Sequence, residues 1–240
     1  MHRTLRGSRR VLAATCTAVL ASIALASCTG DDGGGSGDGE DLDARMESAR
    51  ESLDSAESID LHLSTDSLPD GVQGLLDADG VGNHDPAFEG TVSVVAGGLG
   101  TIDADVVAVD GEVYAELPFT GSFAPIDPDQ YGAPDPAALV DAEGGVSGWL
   151  TDSEELESAG ESRDGDDVLT AVSGTLPGSV VDALIPSADE EATFDVEFRL
   201  TDDDELRDAT ITGPFYPDAD DVTYDLTVEP SDESVDITAP

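Results

Sequence analysis

The sequence predicts an α+β fold in which short helices gather on one side of an antiparallel sheet. Apolar and polar residues alternate strictly over 194–200 and again over 222–228, a pattern typical of antiparallel strands with one apolar and one wet face. Asp110-Gly111 separates two apolar runs rich in valine, which is the strongest short signal for a hairpin turn. Helical and strand patterns come in separate blocks along the chain, and this order favours α+β.

The first predicted elements are a helix and a strand. Apolar residues recur at helical spacing from Leu42 to Ala56, and Asp41 can cap the first turn. We expect this apolar stripe to pack on the core. Residues 59–63 alternate and predict a strand, whereas residues 67–85 are rich in glycine and aspartate and predict a loop with a short helical turn.

The middle of the chain predicts three strands, a proline-rich loop and two short helices. Alternation from Phe88 to Ala96 predicts one strand, and the Asp110-Gly111 hairpin joins two more. Five prolines between positions 118 and 136 predict an irregular loop. Asp135 followed by Pro136 predicts a helix start, because the aspartate caps the helix and proline fits its first position. A second short helix is expected around Trp149.

The C-terminal part predicts strands around one helix and one acidic turn. In chain order these are a strand at 168–176, a helix at 178–184, a strand at 194–200, an acidic turn at 201–205 and strands at 209–212 and 222–228. Each of the strands at 194–200 and 222–228 offers one apolar face, so we expect the helices to cover that side of the sheet.

The first 27 residues have the features of a lipoprotein signal peptide. Residues 1–10 hold four of the nine arginines and no acid, and residues 11–26 are apolar or small throughout. This run is shorter than the roughly 20 residues needed to span a bilayer, and a basic start before it is typical of a signal peptide. The run ends in Leu25-Ala26-Ser27-Cys28, which looks like a bacterial lipobox.

The resemblance to a lipobox implies that Cys28 becomes residue one of the mature chain and carries a diacylglyceryl group. Because two buried chains give stable anchoring, we expect an extracytoplasmic protein attached to the outer face of the plasma membrane. Residues 28–40 contain mainly glycine, serine and acids, which predicts a flexible tether spanning about 20 Å. Residues 41–240 then form the folded domain.

The charge of the chain excludes one class of function. Nine arginines and no lysine stand against 54 acidic residues, for a net charge of −45. A polyanion repels phosphates, so we expect no nucleic-acid partner. The hydrophobic fraction of 39% falls in periodic blocks, which argues against a disordered polyanion.

The sequence shows no catalytic or metal-binding motif. It has no Gly-x-Ser-x-Gly elbow, no P-loop and no Cys-x-x-Cys spacing. His62 and His84 are the only histidines after the signal peptide, and the acidic runs at 202–204 and 218–221 fit solvated turns better than a calcium loop. We therefore expect a protein that is not an enzyme and uses no metal or cofactor.

The mature chain has more apolar elements than one sheet face needs. The proline-rich middle adds aromatic and aliphatic side chains, namely Tyr114, Phe119, Phe123, Ile126, Tyr131 and Trp149. Either these residues fill a solid core, or the sheet and helices leave an apolar cavity between them.

The stretch DGEVYAELPFTGSFAPIDPDQYGAPDPAALVDAEGGVSGWL, from Asp110 to Leu150, resembles the LppX/LprAFG lipoproteins of actinobacterial cell envelopes. Segments 102–117, 168–186 and 194–200 and the closing DITAP are similar to matching stretches of that family, in the same order behind the same lipobox. The resemblance covers nearly the whole body from about Leu42. The charge departs from it, since lysines expected in mycobacterial members are replaced by acids or small residues.

The resemblance implies an antiparallel half-barrel sheet with helices on its concave face, which together enclose an apolar cavity. The domain 41–240 is then expected to bind acyl chains of envelope lipids or glycolipids, triacylglycerol included, and to carry them across the envelope, often beside a membrane exporter. Burial of apolar surface supplies about 25 cal/mol per Å², so such a carrier needs a bound lipid but no catalytic residue.

The candidate cavity residues are apolar positions that alternation or a helix face turns inward. They are Val92, Val94, Val107, Val109, Tyr114, Leu117, Leu139, Trp149, Leu150, Leu176, Val180 and Leu184. A register slip of one residue would turn a strand's whole set outward. The alternatives are an adhesion or scaffold lipoprotein with a solid core and an acidic surface, a lipid sensor, or a lipid-processing enzyme that no motif indicates.

Overall fold

A computed structural model describes residues 37–240 apart from Phe119 and Asp166. In this part of the chain eleven antiparallel strands form one open sheet. The strands are β1 (Ser58–Ser64), β2 (Gly74–Asn83), β3 (Ala87–Val95), β4 (Thr101–Val109), β5 (Glu112–Glu116), β6 (Ala124–Ile126), β7 (Glu154–Asp164), β8 (Asp167–Pro177), β9 (Thr193–Leu200), β10 (Leu206–Gly213) and β11 (Val222–Ser231).

The sheet consists of two meanders joined in the middle. Strands β1 to β6 follow one another toward one edge and strands β11 to β7 toward the other, so that β1 and β11 are neighbours. Leu61 of β1 lies opposite Val228 of β11 on one side and Gly80 of β2 on the other. We call strands β2–β6 the cavity half and strands β7–β11 the solid half.

Four helices lie against the sheet on what we call its inner face. They are α1 (Gly37–Ser55), α2 (Pro136–Leu139), α3 (Val146–Asp152) and α4 (Gly178–Leu184). The predicted apolar stripe of the first helix is confirmed, since Met46, Ala49 and Leu53 are buried in the core. The helix begins at Gly37, so the last residues assigned to the tether are helical. The predicted α+β half-barrel with helices on one face is confirmed.

Two local predictions are confirmed by backbone geometry. Asp110 and Gly111 both have positive φ, 56° and 75°, as a two-residue hairpin turn requires. The Asp135 carboxylate accepts a hydrogen bond from the Ala137 amide at 3.0 Å and Pro136 occupies the first turn of α2. The pairing of Val109 with Glu112 and of Val107 with Tyr114 follows from this hairpin.

The prediction of a loop over 67–85 is wrong over most of its length, because β2 occupies Gly74–Asn83. Apart from Leu75, its inner positions carry glycine or alanine rather than large apolar residues, which hides the alternation. A side chain at Gly80 would lie 2.6 Å from the Phe88 ring, so the close packing of this strand requires a residue without Cβ. Strand β7 was also not predicted, since its residues are almost all exposed.

The solid half carries a packed aromatic core on its inner face. Phe215 stacks edge-on against Phe194 and against Tyr224, with ring centroids 4.9 Å apart in both pairs. Phe198 and Leu200 of β9 are also fully buried.

The outer face of the cavity half is covered in part by the C-terminal segment, which follows β11. Ile237 of this segment covers residues of β3 and β4.

Candidate functional site

An apolar cavity lies between the inner face of the cavity half and a covering segment, which we define as residues 128–139. Its volume is about 120 Å³. The lining residues are Leu75, Ala78, Val92, Val94, Ile102, Ala104, Val106, Val113, Ala115, Leu117, Ile126, Pro128, Tyr131, Ala133, Pro134, Pro136 and Leu139. Apart from the tyrosine, every lining side chain is a hydrocarbon, so the cavity offers apolar burial.

Small inner side chains create this space. Val92 of β3 lies opposite Ala104 of β4, and Ala115 of β5 lies opposite Val106, so alanine or valine occupies these inner positions. Phe88 and Ala137 pack in the same alanine-rich cluster. Because the sheet fixes the backbone, the missing side-chain volume stays open below the covering segment.

Two capped turns fix the covering segment. The Asp127 carboxylate accepts a hydrogen bond from the Asp129 amide at 3.3 Å at the start of a 3₁₀ turn over Pro128–Tyr131. Gly132 ends that turn with φ of 64° and lies against the carbonyl of Gln73, which a Cβ at this position would approach to 2.8 Å. The second cap, at Asp135, starts α2. The cover is thus shaped by two local caps and by prolines, which fix the backbone φ angle.

Lysine and arginine are absent from the sequence around the cavity. From Glu51 to Ser162 the chain contains 25 acids and neither of these two residues, and every lining residue falls within this stretch. No lysine or arginine from these segments can therefore neutralise an anionic ligand in the cavity. In the part of the chain that the structure describes, no three His, Cys, Asp or Glu side chains are grouped to hold a metal ion.

The structure brings four of the predicted residues together at the cavity. Val92 and Val94 of β3, Leu117 after β5 and Leu139 of α2 all line it. Cys28 falls outside the described residues.

Three other candidates lie on the outer face. Val107 is buried against the C-terminal segment, and Val109 packs beside it. Tyr114 lies directly opposite Val107, and its hydroxyl donates to the Glu112 carboxylate at 2.7 Å, a contact that raises the tyrosine pKa. The predicted inward positions of β4 and of Tyr114 in β5 are therefore wrong. The valine-rich run 106–109 has buried residues on both faces of the sheet, so burial alone does not indicate which face is the inner one.

The remaining candidates lie on α3, β8 and α4. Trp149, Leu150, Leu176 and Leu184 are buried in the main hydrophobic core and Val180 packs against it. None of these five is among the residues that line the cavity. They hold α3 and α4 against the sheet.

A signal for the correct parity was present in the sequence. A two-residue turn at 110–111 sets Val109 opposite Glu112 and Asp105 opposite Glu116. The two glutamate carboxylates must be solvated, so their partners on β4, Val109 and Asp105, lie on the same solvent-exposed face. The even-numbered residues of β4 therefore point to the inner face. The missed lining residues of β4 and β5 follow directly: Ile102, Ala104, Val106, Val113 and Ala115.

An open antiparallel half-barrel with an apolar cavity under a short helical cover defines the class of this protein: a cavity-bearing half-barrel. Two solved structures share the fold. LprF from Mycobacterium bovis is 14% identical, the match covering 84% of this chain and 97% of that protein, with a TM-score of 0.65. LppX from Mycobacterium tuberculosis is 16% identical over 83% of this chain and 99% of its own, with a TM-score of 0.58.

The chain belongs to the LppX_LprAFG lipoprotein family, whose model matches residues 41–238. The family resemblance in the sequence is therefore confirmed. Comparison with curated proteins gives no match. Among the residues that the structure describes, no helix is both long enough and apolar enough to cross a membrane.

Proposed function

We propose that this lipoprotein binds acyl chains of envelope lipids or glycolipids, triacylglycerol among them, and carries them across the cell envelope without catalysis. The observation that carries the proposal is the apolar cavity under the covering segment, lined by hydrocarbon side chains. A buried acyl chain gains about 0.8 kcal/mol for each CH₂ removed from water. Binding and release of this kind require no reactive residue and no cofactor.

The size of the cavity sets a requirement for the proposed binding. An apolar cavity of about 150 Å³ admits a benzene-sized molecule, and pockets for larger ligands measure about 300–1,000 Å³. At about 120 Å³ the cavity accommodates only a few carbons of an acyl chain. Loading a whole chain therefore requires the covering segment, including α2, to move away from the sheet.

The proposed location of the protein follows from the lipobox. A diacylglyceryl group on Cys28 holds the domain at the outer face of the plasma membrane, where the lipid ligands are. The tether upstream of α1 lets the domain stand clear of the surface, and a membrane exporter beside it is the expected partner in transfer.

Lipid extraction tests the proposal directly. The chain from residue 29 onward, purified from a host with acylated envelope lipids, is extracted with organic solvent and analysed by mass spectrometry. We expect bound acyl lipid, and uptake of a fluorescent acyl probe by the delipidated protein. Finding neither would overturn the proposal.

A substitution in the cavity ties the binding to this site. Val92 lines the cavity and is half-buried, so Val92→Trp should fill it and lower probe uptake at least tenfold while the domain stays folded. The control is Thr91→Trp, at an exposed neighbouring position on β3, and this variant should take up the probe as wild type does. Val107→Trp would not serve as a control, because Val107 is buried on the outer face. Equal uptake by the Val92 variant and wild type would place binding elsewhere.

The outer face favours a second candidate, a scaffold that recruits a cationic partner without moving lipid. Asp60 lies directly opposite Glu229, and Asp105 opposite Glu116. Like charges facing each other across strands destabilise a sheet, so a basic partner would relieve the repulsion. A pull-down with basic envelope proteins at low and high salt tests this role, since an ionic contact weakens with salt.

A further inference from the structure

We propose that His84 is a positioning residue for the cavity cover: in its protonated form it ties α2 in place, and loss of the proton loosens the cover. The inference rests on the proposed function, because it concerns the opening of the same cavity. The residue itself is not among those that line the cavity.

Both ring nitrogens of His84 lie within hydrogen-bond distance of backbone carbonyl oxygens. Nδ1 lies 2.8 Å from the carbonyl oxygen of Val140, and Nε2 lies 2.9 Å from the carbonyl oxygen of Leu53. Backbone carbonyls only accept hydrogen bonds, so both ring nitrogens must donate. A neutral imidazole has one N–H and the imidazolium has two, so this arrangement selects the charged ring.

The two carbonyls belong to different elements. Leu53 lies in the last turn of α1, where the partial negative charge of the helix end favours a cation. Val140 ends α2 directly after Leu139, which lines the cavity. His84 itself follows β2, so one ring joins the sheet, the long helix and the cover.

The packing around Val140 transmits this tie to the cover. The Val140 side chain lies so close to Gly82 that a Cβ there would come within 2.7 Å of it. The end of α2 is thus seated on β2, two residues before the histidine. A shift at the Val140 carbonyl moves Leu139 with it.

Charged groups also lie on the elements that carry His84 and its two carbonyl partners. Arg50 and Asp54 of α1 form an ion pair at 3.2 Å, and Arg50 also donates to Thr151 and reaches the Ala142 carbonyl. The other Asp54 oxygen is buried without a hydrogen-bond partner among the described residues. Asp85 follows the histidine, Asp141 follows α2 and Glu57 follows α1.

Deprotonation breaks one of the two ties. The neutral ring keeps a single N–H and turns a lone pair toward the other carbonyl, which repels it. Histidine is the side chain that changes charge between pH 5 and 8, whereas carboxylates titrate near pH 4. Bound acyl chains should therefore exchange slowly at pH 5.5 and faster at pH 8.

The experiment measures release of a bound pyrene-labelled fatty alcohol, whose own charge does not change with pH. It uses the chain from residue 29, which includes the whole compact unit containing every described element. We expect wild-type release to be about tenfold faster at pH 8 than at pH 5.5, the effect of one hydrogen bond to a charged group. His84→Gln, with an uncharged amide, should release fast at every pH.

The chain offers a matched control in His62. This histidine lies between Asp77 and Asp79 on the outer face, so His62→Gln should keep the wild-type pH profile. A flat wild-type profile, or a pH dependence that survives in His84→Gln, would overturn the inference. Complete failure of wild type to bind the alcohol at any pH would instead overturn the proposed function.

Hydrogen exchange decides the same point without a ligand or a substitution at His84. Protection factors of the backbone amides of residues 137–141 are measured at pH 5.5 and pH 8 in wild type and in His62→Gln. We expect protection to fall about tenfold at the higher pH in both proteins. Unchanged protection would show that the histidine does not hold the cover.

Discussion

The two halves of the sheet share one alternation but differ in the size of their inner side chains. Inner positions of the cavity half carry Val92, Ala104 and Ala115, whereas inner positions of the solid half carry Phe194 and Phe198. Both halves are covered by helices. The pattern of apolar residues therefore determines which face is buried, and the size of the residues determines whether space remains beneath the cover.

The largest expected difference between the halves concerns loss of a core ring. Phe198 is 1% exposed in the solid half, so Phe198→Ala should lower the free energy of unfolding by about 3–5 kcal/mol. Urea titration followed by the fluorescence of Trp149, the single tryptophan, measures it. Probe affinity of the folded variant should equal wild type, and a loss below about 1 kcal/mol would contradict a solid core here.

The same type of substitution, alanine to leucine, can be made in both halves. Ala209 of β10 is 1% exposed in the packed half, so Ala209→Leu should overpack it and destabilise the protein by about 1–3 kcal/mol. Ala104 lines the cavity, so Ala104→Leu should change stability by less than about 1 kcal/mol and reduce probe uptake. Equal destabilisation by the two variants would mean that the cavity half is as tightly packed as the other.

The smallest expected effect concerns a buried hydroxyl pair in the solid half. Tyr224 donates to the Leu75 carbonyl at 2.6 Å and lies 2.7 Å from the Tyr216 hydroxyl. Tyr224→Phe removes these bonds and should lower the free energy of unfolding by about 1 kcal/mol at pH 7. Thermal unfolding monitored by circular dichroism measures the loss.

The same tyrosines predict a pH dependence. Burial raises the pKa of Tyr224 and of Tyr216, whereas in the unfolded chain a tyrosine ionises near pH 10. The unfolded state then loses its protons first, so stability is intact below pH 10 and falls above it by up to about 1.4 kcal/mol per pH unit for each tyrosine. The free energy of unfolding of the Tyr224→Phe variant should fall less steeply above pH 10 than that of wild type. Equal slopes for the two proteins would show that Tyr224 does not cause this pH dependence.

Local chemistry in the sequence predicted much of this fold. The Asp110-Gly111 turn and the Asp135 cap each depend on a few adjacent residues, and both occur as predicted. Strand β2 could not be predicted in the same way, since Gly80 and Gly82 are selected by Phe88 and Val140, which approach them only in the folded protein. Strand β7 lacks an apolar face altogether.

The cavity was less accessible from the sequence than the fold. Whether Val107 or Val106 faces inward depends on strand parity, and the C-terminal segment that buries Val107 comes about 130 residues later. Trp149 and Leu150 were expected at the cavity because they are apolar and helical, yet they pack in the main core. Whether a cavity remains depends on the distance between the sheet and its cover, and the positions of apolar residues in the sequence do not determine that distance.

The pairing of β1 with β11 has a consequence for biogenesis. The two strands meet in register from Ser58 opposite Ser231 to Ser64 opposite Asp225, across nearly the whole length of the domain. Contacts of such sequence separation form slowly because a long loop must close first. The centre of the sheet therefore stays incomplete until β11, the final strand, has been synthesised and has paired with β1.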